Sequence, residues 1–154
     1  MKRQGDKELL IVRAFNAPMG LVFDAYTQPR LLKRWLLGPP GWTMVQCEVD
    51  LKVGGSYRYV LQDPQGNNMG WGGKFLEVDE PNRYVHTELF DQDWTGGETT
   101  ITIEFVEVDG VTTVTQTVVY SSGEAREMAL KTPMEDGMAE SLNNLDAVLS
   151  EELP

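Results

Sequence analysis

Histidine and cysteine are almost missing from this 154-residue chain, which has only His86 and Cys47. A lone cysteine excludes an intrachain disulfide and any cysteine metal cluster. A lone histidine excludes a multi-histidine metal centre, and no zinc-ligand spacing occurs, so no metal site is expected. Positive charge is scarce as well: 13 Lys and Arg face 24 Asp and Glu, a formal net charge of −11. Nucleic acid and anionic membranes both attract basic surfaces, so neither is an expected partner. No apolar run is long enough to span a bilayer, and the opening "MKRQGDKELLIVRAF" has no signal-peptide core. These traits predict a soluble, cytoplasmic protein whose partner is a small molecule or another protein. There is no Gly-x-Ser-x-Gly elbow, phosphate loop or dinucleotide fingerprint; "GGKF" after Trp71 lacks a strand–turn–helix setting. No cofactor is implied.

No repeat, low-complexity tract or Ser/Gly linker divides the sequence, and residues 1–154 are read as a single domain. "LLIVRAF" predicts a first strand over Leu9 to Phe15. A helix is expected to start at Pro18, where a missing N–H does no harm, and a second to follow with Thr27 as its cap. From Met44 to Tyr120 the pattern changes to strands separated by turns. These are "TMVQCEVDL", "SYRYVL", "MGWGGKFLEV", "RYVHTELF", "TTITIEFVEV" and "VTTVTQTVVY", the last two meeting across the hairpin signal Asp109-Gly110. With the first strand they make a seven-stranded antiparallel meander. The end returns to helix from about Pro133 to Ser150, where Thr132 to Glu135 reads as a capping box. Met134, Met138, Leu142, Leu145 and Leu149 then recur at helical spacing and need a surface to cover. The layout is α+β, with two short helices between strands 1 and 2 and a sheet wrapped about the last helix.

The stretches "RAFNAPMGLVFDAYTQPRLLKRWLLGPPGW", "CEVDLKVGGSYRY", "DPQG", "GGKFLEVDEPNRYV" and "MEDGMAESLNNLDAVL" together resemble the START-like (SRPBCC) superfamily. The resemblance is to the branch related to the activator of heat-shock protein 90 ATPase, and it runs over about residues 9 to 150. It implies the helix-grip fold, a curved seven-stranded sheet around a long C-terminal helix with a largely apolar cavity between them. Members of the superfamily bind lipids, sterols, polyketides or hormones, and some catalyse cyclisation or hydrolysis in the cavity. Fold alone therefore does not assign function. The family often has two adjacent tryptophans where this chain has Trp35-Leu36, which implies a differently shaped entrance.

Strand alternation puts Tyr57, Tyr59 and Leu61 on one face, and Thr99, Ile101, Ile103 and Phe105 on one face of a later strand. In "RYVHTELF" the alternation leaves both faces open, since Tyr84, His86, Glu88 and Phe90 oppose Arg83, Val85, Thr87 and Leu89. The resemblance favours the first set pointing inward, and a polar pair inside an apolar cavity would be its chemical handle. The expected ligand-binding residues are Trp35, Trp42, Tyr57, Tyr59, Trp71, Met134, Gly137 and Met138, with His86, Glu88 and Gln116 as polar anchors. The glycines around Trp71 leave its facing open, Trp42 after "GPPG" and Trp94 in the polar segment before a strand are placed at a cavity rim, and alternation with Val45 and Val49 makes Cys47 a buried thiol. Gly137, costly inside a helix by about 1 kcal/mol relative to alanine, either packs on the sheet or leaves space in the cavity.

Three functions fit these residues. The first is binding of a small hydrophobic ligand without catalysis. The second is an enzyme of the same fold, with His86 or Glu88 moving a proton on a polyketide-like or other cyclic substrate. The third is a co-chaperone-like activator acting through its surface, ranked below the others because the eukaryotic activators carry a further N-terminal domain that this length does not accommodate.

Overall fold

The computed structural model describes residues 1–153. Strands β1 (Lys2–Gln4) and β2 (Glu8–Phe15) precede helices α1 (Met19–Thr27) and α2 (Pro29–Trp35). Next come β3 (Thr43–Val49), β4 (Ser56–Gln62), β5 (Asn68–Asp79), β6 (Arg83–Phe90), β7 (Thr99–Val108) and β8 (Val111–Val119). Helices α3 (Gly123–Leu130) and α4 (Met134–Glu152) follow. All the strands join one curved antiparallel sheet in the order β1-β2-β8-β7-β6-β5-β4-β3. Asp109 and Gly110, at φ 52° and 79°, make the tight β7–β8 turn, whose handedness matches the twist of the flanking strands. Among the described residues, no helix is long and apolar enough to cross a membrane.

Several local expectations change in the fold. The sheet has eight strands, not seven. The extra strand β1 is Lys-Arg-Gln, exposed and without alternation, and it pairs because Gly5 at φ 55° turns the chain back onto Glu8–Leu10. Thr27 does not cap the second helix; it ends α1, where its hydroxyl donates to the Phe23 carbonyl at 2.8 Å, and Gln28 precedes α2 instead. Pro18 likewise sits just outside α1. The capping box at Thr132 does not form, because the Thr132 hydroxyl donates to the Ala129 carbonyl at 2.6 Å. That carbonyl belongs to α3, a helix with no long apolar stripe to announce it. Ser122 caps α3 by accepting from the Ala125 amide at 3.0 Å, and Arg126 donates to the carbonyls of Gly5 and Glu8 at 3.2 and 3.1 Å. Cys47 is half-buried, not buried. A bulge between Met44 and Gln46 shifts the alternation of β3 and turns Val45 out to solvent.

Helix α4 is covered unevenly. Toward its C-terminus Leu142, Leu145, Val148 and Leu149 are buried in one core with Phe15, Phe23, Leu31 and Phe105. Arg30 and Arg34 of α2 pair with Glu151 and Glu152 at the helix end, exposed contacts that set alignment more than they add stability. Toward its N-terminus Met134, Gly137 and Met138 are only half-buried. The stripe is continuous in sequence, but the sheet stands away from its first two turns. Leu145→Ala is therefore expected to lower stability by about 3 kcal/mol, and Met138→Ala by less than about 1 kcal/mol, in denaturant titrations.

Candidate functional site

The space left under the first turns of α4 is a cavity of about 420 Å³. The inner faces of β4 to β8 form its floor and walls, α4 its roof, and the loops around residues 36–42 and 94–95 its rim. The rim is tied to the roof, since the Gly38 amide donates to the buried Ser141 hydroxyl at 2.9 Å. Leu36 also lines the cavity.

Aromatic rings pave the floor. Tyr57 lies 5.0 Å from Tyr59, which meets Trp71 edge-on at 5.6 Å. Trp71 stacks on Phe90 at 5.2 Å, and Phe90 touches Trp94 at 4.8 Å. Trp71 thus faces inward. Between β5 and β6 the backbones approach so closely that a Cβ on Gly73 would stand 2.0 Å from the Thr87 carbonyl oxygen. That carbonyl accepts the Tyr57 hydroxyl at 2.6 Å, which fixes the tyrosine ring at the cavity wall.

His86 and Glu88 both line the cavity from β6. The His86 ring is enclosed by Tyr57, Tyr84 and Phe75, at centroid distances of 5.2, 5.3 and 6.2 Å. Its Nδ1 is sealed from solvent with no hydrogen-bond partner. Burial lowers its pKa from 6.5 to about 4, so the ring is neutral at pH 7. Burial raises the Glu88 pKa from 4.5 to about 7. Its side chain keeps some accessible area, but that area opens into the cavity, so it is desolvated by the surrounding protein all the same. The two groups make no ion pair, and desolvation alone sets both directions.

The remaining expected residues are distributed as follows. Trp42 is a half-buried part of the rim, and Gln116 reaches the cavity from β8. Trp35 contributes wall but is held as structure, 2% exposed with its indole N–H donating to the Ala25 carbonyl at 2.8 Å. Met134, Gly137 and Met138 form the roof. A Cβ on Gly137 would meet only Pro39, at 3.9 Å, so the glycine does not pack on the sheet; it leaves open space. Sequence reasoning did not single out Phe75 or Tyr120, which also line the cavity. Phe75 is in phase with Trp71 and Gly73 along β5, a signal hidden by the run of glycines.

This architecture, a curved sheet gripping a terminal helix over an internal cavity, defines a helix-grip protein of the SRPBCC class. The chain belongs to the family described as Activator of Hsp90 ATPase homolog 1-like protein, which matches residues 16–150. It is similar to a Rhodobacter sphaeroides protein of known crystal structure, with 33% identity, a TM-score of 0.88, and 94% of this chain and 93% of that one covered. A Nitrosomonas europaea crystal structure matches at 29% identity and TM-score 0.84, covering 95% of this chain and 96% of the other. A Staphylococcus epidermidis solution structure matches at 30% identity and TM-score 0.83, covering 99% and 94%. No protein with curated annotation matches the chain.

The two shifted groups predict opposite pH signatures. The unfolded chain protonates His86 below about 6.5 while the fold resists until about 4, so this residue costs stability as pH falls through that window. The fold keeps Glu88 protonated up to about 7 while the unfolded chain ionises it near 4.5, so this residue costs stability as pH rises through that window. In the wild type the two slopes nearly cancel. Relative to wild type, His86→Phe should gain about 2–3 kcal/mol as pH falls from 6.5 to 4, and Glu88→Gln a similar amount as pH rises from 4.5 to 7. Urea titrations at a series of pH values measure both; parallel curves for the variants and wild type contradict the assignment.

Proposed function

We propose that the chain acts as one domain that holds a small, mainly apolar molecule between its sheet and α4. The observation that carries this reading is the cavity itself, about 420 Å³ of space walled by aromatic and methionine side chains. Packed interiors keep few spaces of this size, since each forfeits dispersion contacts along its lining. The few polar groups among the apolar walls suit a site that orients its ligand. Trp35, Trp42, Tyr57, Tyr59 and Trp71 would contact its body; His86, Glu88 and Gln116 would anchor its polar part. Acid–base chemistry at His86 or Glu88 is less favoured, because the two carry no hydrogen bond to each other or to a third orienting group.

The family's description favours a second reading, activation of a chaperone ATPase through the protein surface. One pair of measurements separates the two. Titration with the uncharged dye N-phenyl-1-naphthylamine should show saturable fluorescence enhancement. Gly137→Leu, which fills the roof, should weaken it about tenfold with little change in the denaturation midpoint. Stimulation of Hsp90 ATP hydrolysis that survives Gly137→Leu, with no saturable dye binding, would favour the second reading.

A further inference from the structure

On the reading that the cavity holds a small molecule, we propose that its ligand is a hydrophobic amine, bound as the ammonium against the Glu88 carboxylate. The charge inventory of the cavity is one-sided. Glu88 carries the one carboxyl among the lining residues, no lysine or arginine lines the space, and no ion pair or hydrogen bond engages that carboxyl among the described residues. Three neighbouring hydroxyls are committed elsewhere. Tyr57 donates to the Thr87 carbonyl at 2.6 Å and Tyr120 to the Met134 sulfur at 3.8 Å, while Thr99 is directed at the Glu88 backbone carbonyl, 3.4 Å away.

The site therefore offers charge of one sign only, a carboxyl with no cation opposite it, among polar groups that are otherwise neutral. A neutral imidazole at His86 and the Gln116 amide each bring an acceptor beside their own N–H donors. An ammonium group is the complement of such a set, with three N–H donors, no acceptor and a charge opposite to the carboxylate. Tyr57, Tyr59 and Trp71 line the same cavity, where a ring face turned to an ammonium adds cation–π attraction. An anionic ligand meets the reverse: buried negative charge beside an unpaired carboxyl and no cation to offset it. The formal net charge of −11 also draws cations toward the protein.

The test uses three probes on one skeleton, 2-naphthylmethylamine, 2-naphthylmethanol and 2-naphthoic acid, titrated calorimetrically into the full chain at pH 8. The expected order is amine, alcohol, acid, with the amine about tenfold tighter than the alcohol. In Glu88→Gln the amine-to-alcohol ratio should collapse to about one. Asp91→Asn, outside the cavity, controls for general loss of negative charge and should keep the ratio. Binding of the alcohol with equal or weaker binding of the amine overturns the proposal while leaving the cavity reading intact. A ratio unchanged in Glu88→Gln also overturns it. Failure of all three probes to bind overturns both.

Discussion

Leu142, Leu145, Val148 and Leu149 anchor the C-terminal half of α4 in the core shared with α1, α2 and the sheet, and the rest of the molecule is arranged around that anchorage. Burying these side chains contributes on the order of 2 kcal/mol each, enough to hold the whole helix in place. The N-terminal half is then suspended over the sheet without having to touch it. Met134, Gly137 and Met138 roof a space and leave it unfilled. A helix packed evenly along its length would have closed the cavity.

The same unevenness explains why polar residues are tolerated at the centre of β6. His86 and Glu88 are desolvated, yet each faces open volume on one side, so neither forces a charge into packed hydrocarbon. Both are neutral in the fold over much of the range between pH 4 and 7, the state that burial favours. The aromatic shell around them is itself fixed by backbone contacts: Tyr57 by the Thr87 carbonyl, and Trp35 by the Ala25 carbonyl. A cavity with fixed walls and unpaired polar groups discriminates by chemistry as well as by size, because a ligand that fails to meet those groups leaves them buried and unsatisfied.

Much of this was legible in the residues because period and turn chemistry are local. Tyr57, Tyr59 and Leu61 share one face of β4 opposite Ser56, Arg58 and Val60, and all three are buried toward the cavity. Asp109-Gly110 marked its hairpin, and the stripe on α4 marked a helix needing cover. The β6 faces were not legible. Val85 is buried at 7%, on the side opposite Tyr84 and His86, so both faces look apolar in sequence. The family resemblance, and not the pattern, pointed to the inward set.

The amino-acid sequence by itself determined the α+β order, the antiparallel meander and the amphipathic terminal helix, since each follows from spacing within a few residues. Tertiary structure decided everything that depends on distant segments meeting. It added β1 by pairing three polar residues with β2, took Thr132 away from α4 to serve α3, and turned Val45 outward through a bulge. It also decided that Gly137 faces open space instead of the sheet. Whether a glycine marks contact or vacancy depends on what stands opposite, and residues from Pro39 to Gly137 come together only when the chain folds.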